Sequence, residues 1–108
     1  DHRIDFLTKI IVEKNPNILG VYSLAMKSGS DNIRSSSTHA LLQNIRAYGI
    51  EVIVYEPHIK QYELDDIKIT TDLDFFKKSS DLIIANRMSN DLKDIYSKVL
   101  TRDIFNVD

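Results

Sequence analysis

Residues 18–24 read ILGVYSL and are the strongest indication of the fold in this sequence. This stretch is apolar almost throughout, which is typical of a strand covered on both faces inside a parallel sheet. The tripeptide NPN at residues 15–17 precedes it and ends a helical pattern over residues 2–14, because proline lacks an amide hydrogen and disfavours helical geometry just before itself. One face of that helix is predicted to carry Ile4, Leu7, Ile10 and Ile11.

Downstream of this strand the chain repeats the order helix, then strand. The serines at 35–37 are N-cap candidates for a second helix, and Gly49 suits its C′ position. That helix is predicted to carry Leu41, Leu42, Ile45 and Tyr48 on one face. A β-branched strand over residues 50–55 follows, closed by Glu56 and Pro57.

The second half of the chain continues the pattern with shorter elements. Ile67 and Ile69 indicate a short strand, and Asp72 is placed to cap a short helix that contains Leu73, Phe75 and Phe76. Further predicted elements are a strand over residues 82–85, a helix over residues 90–99 with Leu92, Ile95 and Val99 on one side, and a last strand within residues 100–105. This alternation predicts a three-layer α/β domain, with a mostly parallel sheet, helices on both faces and right-handed crossovers.

Composition narrows the classes of function. The chain has 108 residues and a formal net charge of −2, which fits one domain and gives no support for binding nucleic acid or a membrane surface. The absence of cysteine excludes disulfides, thiolate metal sites and cysteine nucleophiles from this segment. No apolar run approaches the roughly 20 residues of a membrane span, and the charged start does not resemble a signal peptide. A start without methionine leads us to expect a piece of a longer protein.

The loop after the first strand is the candidate ligand site. In open parallel sheets, ligands bind beyond the carboxyl ends of the strands, and this loop leads into the start of a helix, where free amides favour anions. Lys27 and Arg34 bring two cations to it, so a phosphate or pyrophosphate is the expected ligand. The loop matches neither standard phosphate-binding motif, so the alternative is that both cations are solvated charges paired with Asp31.

Other polar residues give weaker signals. Arg87 follows the predicted strand at 82–85, which places it at the same carboxyl edge as a possible ligand contact. The three histidines lack the spacing of metal ligands, and we expect no metal site. Asp65 and Asp66, with Glu63 nearby, are interpreted as a solvated turn, and the tyrosines as core or rim packing.

The loop at residues 26–34, MKSGSDNIR, resembles the start of the C-terminal domain of UDP-glucose 6-dehydrogenases. The bacterial branch that supplies glucuronate for capsule polysaccharide is the most similar. Supporting strings follow in the right order along essentially the whole chain: GIEVIVYEP at 49–57, ANRM at 85–88 and TRDIF at 101–105.

This resemblance implies a cytoplasmic, homodimeric enzyme with an N-terminal NAD-binding domain, a central dimerisation helix and a Rossmann-like UDP-binding domain. Such enzymes oxidise the C6 hydroxyl of UDP-glucose to a carboxylate with two NAD⁺ and a cysteine nucleophile. Residues 1–14 would end the helix that joins the central segment, and residues 15–108 would form the UDP-sugar-binding domain. Lys27 and Arg87 would contact the UDP-sugar and Arg34 the NAD on the other domain, while the catalytic residues would lie outside this chain.

Three alternatives stay open at the level of sequence. The chain could belong to a dehydrogenase of UDP-N-acetylmannosamine or GDP-mannose, because the residues that recognise the sugar lie mostly upstream. It could be a free-standing nucleotide-binding or regulatory module. It could also serve mainly in oligomer contacts, with ligand binding secondary.

Overall fold

The computed structural model describes residues 2–22, 36–56, 63–64, 67–85 and 88–101. The helices in these ranges are α1 (His2–Lys14), α2 (Ser36–Arg46), α3 (Leu73–Ser79) and a 3₁₀ helix (Asn90–Lys98). The strands are β1 (Ile18–Tyr22), β2 (Glu51–Tyr55), β3 (Glu63–Leu64), β4 (Ile67–Thr70), β5 (Leu82–Ala85) and β6 (Val99–Thr101).

These strands form one sheet in the order β3-β4-β2-β1-β5-β6. Every neighbouring pair is parallel except β3 and β4, so the predicted mostly parallel sheet is confirmed. β1 lies inside the sheet with β2 on one side and β5 on the other, which explains its unbroken apolar sequence. The antiparallel edge strand β3 was not predicted, because two residues are too few to show a strand period.

Helices cover both faces of the sheet, which confirms the three-layer arrangement. The first face carries an aliphatic core to which α1, α2 and the strands contribute, including Leu7, Ile11, Leu42, Ile45, Val21 and Val54. The second face carries a more aromatic core shared with α3 and the 3₁₀ helix, including Tyr22, Tyr55, Phe76 and Leu92. The helix over residues 2–14 therefore packs into the aliphatic core through Leu7 and Ile11.

The side chains of β1 alternate between these two cores. Leu19 and Val21 belong to the aliphatic core, and Tyr22 belongs to the aromatic one. Gly20 faces α3, where an added Cβ would overlap the Ser80 hydroxyl and lie 2.8 Å from Cε1 of Phe76. A glycine at this position therefore allows α3 to pack directly on the middle of the sheet.

Helix ends match the sequence in two places and differ in two. Gly49 has a φ of 86° after α2, as predicted, and Asp72 caps α3 by accepting a hydrogen bond from the Phe75 amide at 3.1 Å. The placement of Tyr48 on the buried face of α2 is wrong: the helix ends at Arg46 and Tyr48 is 64% exposed. The predicted helix at 90–99 is a 3₁₀ helix, and Val99 already belongs to β6.

Candidate functional site

The site suggested by the topology lies between the carboxyl ends of β1 and β5. The chain proceeds from β1 to β2 on one side of the sheet, whereas β5 leads to β6 on the other. Connections that diverge in this way open a crevice at the sheet edge, where open α/β sheets bind their ligands. Tyr22 and Ala85, the last residues of the two strands, are direct partners in the sheet.

The three residues that the sequence predicted for this site lie outside the described residues. Lys27 and Arg34 belong to residues 23–35, which follow β1, and Arg87 comes two positions after the end of β5. The structure establishes the positions of the strands from which these segments leave, and those strands are neighbours. The ligand contacts of Lys27, Arg34 and Arg87 stay predictions.

Among the described residues, Tyr22 is the central polar side chain at this edge. Its ring is 1% exposed and stacks on Tyr55, with 5.6 Å between the ring centroids and 14° between the ring planes. Its hydroxyl donates a hydrogen bond of 2.8 Å to Oδ2 of Asp91, near the start of the 3₁₀ helix. Burial raises the pKa of Tyr22 from 10.0 to about 12, so the phenol keeps its proton in mildly alkaline solution where a free tyrosine begins to lose it.

Ser89 adds a second hydroxyl at the same place. It occupies the N-cap position of the 3₁₀ helix, where its carbonyl accepts the Leu92 amide at 3.1 Å, but its side chain makes no capping bond. Its Oγ is buried and has no hydrogen-bond partner in the part of the chain that the structure describes. The Ser89 hydroxyl lies near the Tyr22 phenol without reaching hydrogen-bond geometry. Burial has the largest effect on the pKa of Tyr22 and raises it, and the Ser89 hydroxyl acts in the opposite direction.

Glu56 follows β2 at the same edge and is 1% exposed. Its amide donates to the Thr70 carbonyl at 3.1 Å, which ties the end of β2 to the end of β4. An acidic residue directly after a strand, at the carboxyl edge where such sheets bind ligands, is the signal that could have singled it out.

Sequence reasoning missed Tyr22, Ser89 and Asp91 as well. The signal available for Tyr22 was a tyrosine that ends a buried strand at the carboxyl edge, and the tyrosines were interpreted only as packing residues. Its partner is 69 residues away in the sequence, so the contact with Asp91 depends on the strand order.

The same described ranges also bear on membrane spanning and metal binding. No helix there is long and apolar enough to cross a membrane. Nor do those residues bring together three histidine, aspartate or glutamate side chains that could hold a metal ion.

Comparison with known proteins agrees with this geometry. Residues 20–107 match a family model described as the UDP-glucose/GDP-mannose dehydrogenase family, UDP binding domain. The match begins inside β1 and includes every strand that follows it.

Two curated relatives carry the name UDP-glucose 6-dehydrogenase. The protein from Streptococcus pneumoniae is 42% identical over 103 residues, which cover 95% of this chain and 26% of the relative. The protein from Campylobacter jejuni is 44% identical over 108 residues, which cover 98% of this chain and 28% of the relative. The chain thus spans about a quarter of the length of these relatives, and it belongs to the UDP-glucose/GDP-mannose dehydrogenase family, as the UDP-binding domain of that family.

Proposed function

We propose that this chain holds the UDP moiety of UDP-glucose within an NAD-dependent UDP-glucose 6-dehydrogenase, which supplies UDP-glucuronate for polysaccharide synthesis. The observation that supports this most directly is the pairing of β1 with β5 at the point where the connections diverge. The segments that carry Lys27 and Arg87 leave the sheet from these two neighbouring strands. A diphosphate between them would receive charge-assisted hydrogen bonds from both sides.

The chemistry of oxidation belongs to other parts of the enzyme. The chain has no cysteine to serve as nucleophile, and its three glycines do not form the G-x-G-x-x-G motif that binds a dinucleotide. NAD supplies the hydride acceptor when it is bound to the partner domain, and Arg34 would reach it from the loop after β1. The role of this chain is to bind and orient the nucleotide end of the substrate, which raises the effective concentration of the C6 hydroxyl at the reacting centre.

UDP-glucose is favoured over GDP-mannose as the substrate, because both relatives described above are named UDP-glucose 6-dehydrogenase. In the full-length protein UDP should therefore bind more tightly than GDP. Tighter binding of GDP would favour the GDP-mannose alternative. The homodimer, the cytoplasmic location and the domain boundary after residue 14 stay predictions from the resemblance.

The test is the affinity of the full-length protein for UDP, measured by isothermal titration calorimetry. Lys27→Ala should raise the dissociation constant by a factor of about 10 to 100, since one hydrogen bond to a charged group is worth about 1.5–3 kcal/mol. Arg87→Ala should act in the same direction, and Arg34→Ala should raise the KM for NAD more than the dissociation constant of UDP.

Lys78→Ala is the matched control. Lys78 is an exposed cation near the carboxyl end of α3, which leads into the amino end of β5. It is therefore away from the carboxyl edge of the sheet, and the UDP affinity should not change. Wild-type UDP affinity in Lys27→Ala, or turnover of UDP-glucose by this chain alone, would contradict the proposal.

A further inference from the structure

The Tyr22 ring is held so firmly that only its hydroxyl can act at the sheet edge. Besides stacking on Tyr55, it contacts Phe76 of α3 with 6.4 Å between the ring centroids, and Phe76 itself lies 5.6 Å from Tyr55. Three packed rings leave the tyrosine no alternative rotamer without opening the aromatic core. The packing of the ring therefore fixes the position of the hydroxyl independently of its polar contacts.

From this position the hydroxyl joins two parts of the chain that the topology separates. Tyr22 ends β1, and Asp91 is the second residue of the 3₁₀ helix that follows β5. The 2.8 Å bond between them crosses the point where the connections of β1 and β5 diverge. A hydrogen bond to a carboxylate is stronger than one between neutral groups, so this contact can hold the start of the helix against the end of the strand.

The start of that helix is packed through Leu92, which is buried in the aromatic core, but it has few other polar attachments. The Ser89 side chain makes no capping bond, and its buried Oγ has no partner among the described residues. Within the described ranges, the backbone of this turn contributes one local hydrogen bond, from the Leu92 amide to the Ser89 carbonyl. The Tyr22–Asp91 bond is thus the long-range polar contact that fixes this turn within the described part of the chain.

We propose that Tyr22 is a positioning residue for the nucleotide-diphosphate site, acting through its hydrogen bond to Asp91. The bond sets the geometry between the end of β1 and the Ser89–Leu92 turn, which flank the crevice on its two sides. This inference rests on the proposed function, because the crevice must be the place where UDP binds. Neither Tyr22 nor Asp91 needs to touch the ligand.

A double-mutant cycle in the full-length protein tests the inference, with the UDP dissociation constant as the readout. Tyr22→Phe and Asp91→Ala should each weaken UDP binding about fivefold, less than the loss of a direct ligand contact, because the bond acts only through the position of the turn. The double variant should be no weaker than the single variants, since both remove the same bond. The KM for UDP-glucose should rise while kcat at saturating substrate stays unchanged, a split that general loss of structure would not produce.

Tyr96→Phe is the matched control, because Tyr96 lies on the same 3₁₀ helix and is 70% exposed. It should leave the UDP affinity unchanged. The inference would be overturned if Tyr22→Phe bound UDP with wild-type affinity, or if the effects of Tyr22→Phe and Asp91→Ala added in the double variant. In that case weakened UDP binding by Lys27→Ala would still uphold the proposed function. Unchanged affinity in Lys27→Ala would overturn the proposed site and this inference together.

Discussion

The two ends of the β1–β5 pair are held in different ways. At the amino end, Oδ2 of Asp81 accepts hydrogen bonds from the Asn17 and Ile18 amides at 3.0 and 2.9 Å. The Asp81 amide in turn donates to the Ile18 carbonyl at 2.9 Å. Close by, Nζ of Lys98 donates to the carbonyls of Lys77 and Ser80, both at 2.6 Å, and so caps the end of α3.

At the carboxyl end, the described residues include the hydrogen-bonded side chains of Tyr22 and Asp91 and a buried Ser89 hydroxyl that has no hydrogen-bond partner among them. The amino end is thus tied by side chains bonded to backbone groups, which stabilises the fold whatever the domain binds. The carboxyl end has a buried hydroxyl that could still form hydrogen bonds. Such a group is costly for stability but useful where a polar ligand binds. We infer that the amino ends of β1 and β5 mainly stabilise the fold, whereas their carboxyl ends serve ligand binding.

The largest effect on stability should come from the amino end. Asp81→Ala removes the acceptor of two backbone amides and should lower the free energy of unfolding by about 2 kcal/mol, as for the loss of a strong cap. The measurement is urea unfolding followed by circular dichroism, and UDP affinity should stay close to wild type.

Asp81→Asn is the control for this variant. Its amide oxygen can still accept from the Asn17 and Ile18 amides, so it should restore most of the lost stability. If Asp81→Ala instead weakened UDP binding as much as Tyr22→Phe, the division between a structural end and a binding end would be wrong.

A smaller effect is expected at the carboxyl end in alkaline solution. Burial raises the pKa of Tyr22 from 10.0 to about 12, whereas the unfolded chain releases this proton near the ordinary value. The stability from Tyr22 is therefore present below pH 10 and is lost as the pH rises from 10 to 12. At pH 11 the loss should be about 1.4 kcal/mol, the equivalent of one pKa unit.

Urea unfolding at pH 9 and pH 11 measures this loss. The decrease should be smaller in Tyr22→Phe, which lacks the titrating group, and should persist in the control Tyr96→Phe. Equal decreases in wild type and Tyr22→Phe would show that the Tyr22 phenol is not protected from ionisation by the fold.

The sequence was sufficient for the architecture because the fold depends on local patterns. The apolar run at residues 18–24, the proline at 16 and the glycine at 49 each act within a few residues, so β1, the end of α1 and the glycine turn after α2 could be predicted. Tyr48 was misplaced because the helical spacing in the sequence continues past Arg46, where α2 ends, into the turn that leads to Gly49.

The site was predictable only in part, for a physical reason. The carboxyl edge as the candidate ligand side follows from strand order, and position alone indicated Lys27, Arg34 and Arg87, to which the resemblance added their expected roles. By contrast, the Tyr22–Asp91 bond depends on which strands become neighbours and on a tyrosine rotamer held by Tyr55 and Phe76. Such a contact has no spacing of its own in the sequence.

The smallest effect should come from an ion pair on the outer surface. Nζ of Lys77 on α3 lies 2.8 Å from Oδ1 of Asp94 on the 3₁₀ helix, but the Asp94 side chain is 68% exposed. The hydrogen bond from Lys77 lowers the pKa of the Asp94 carboxyl, so any stability from this pair is present above the ordinary pKa and is lost only as the pH falls through the lowered one. Solvent screening makes such exposed pairs weak.

Lys77→Met should therefore raise the pKa of Asp94, measured by NMR titration of its carboxyl carbon. The midpoint of urea unfolding at pH 7 should shift no more than it does in the control Lys78→Met. The two α3 variants differ in whether the lysine has the Asp94 partner, so their comparison isolates the pair. A marked loss of stability in Lys77→Met alone would mean that contacts outside the two strand ends also govern how α3 and the 3₁₀ helix are held. In that case the hydrogen bonds of Asp81 and Tyr22 at the two ends of the β1–β5 pair would account for a smaller part of the stability of the domain.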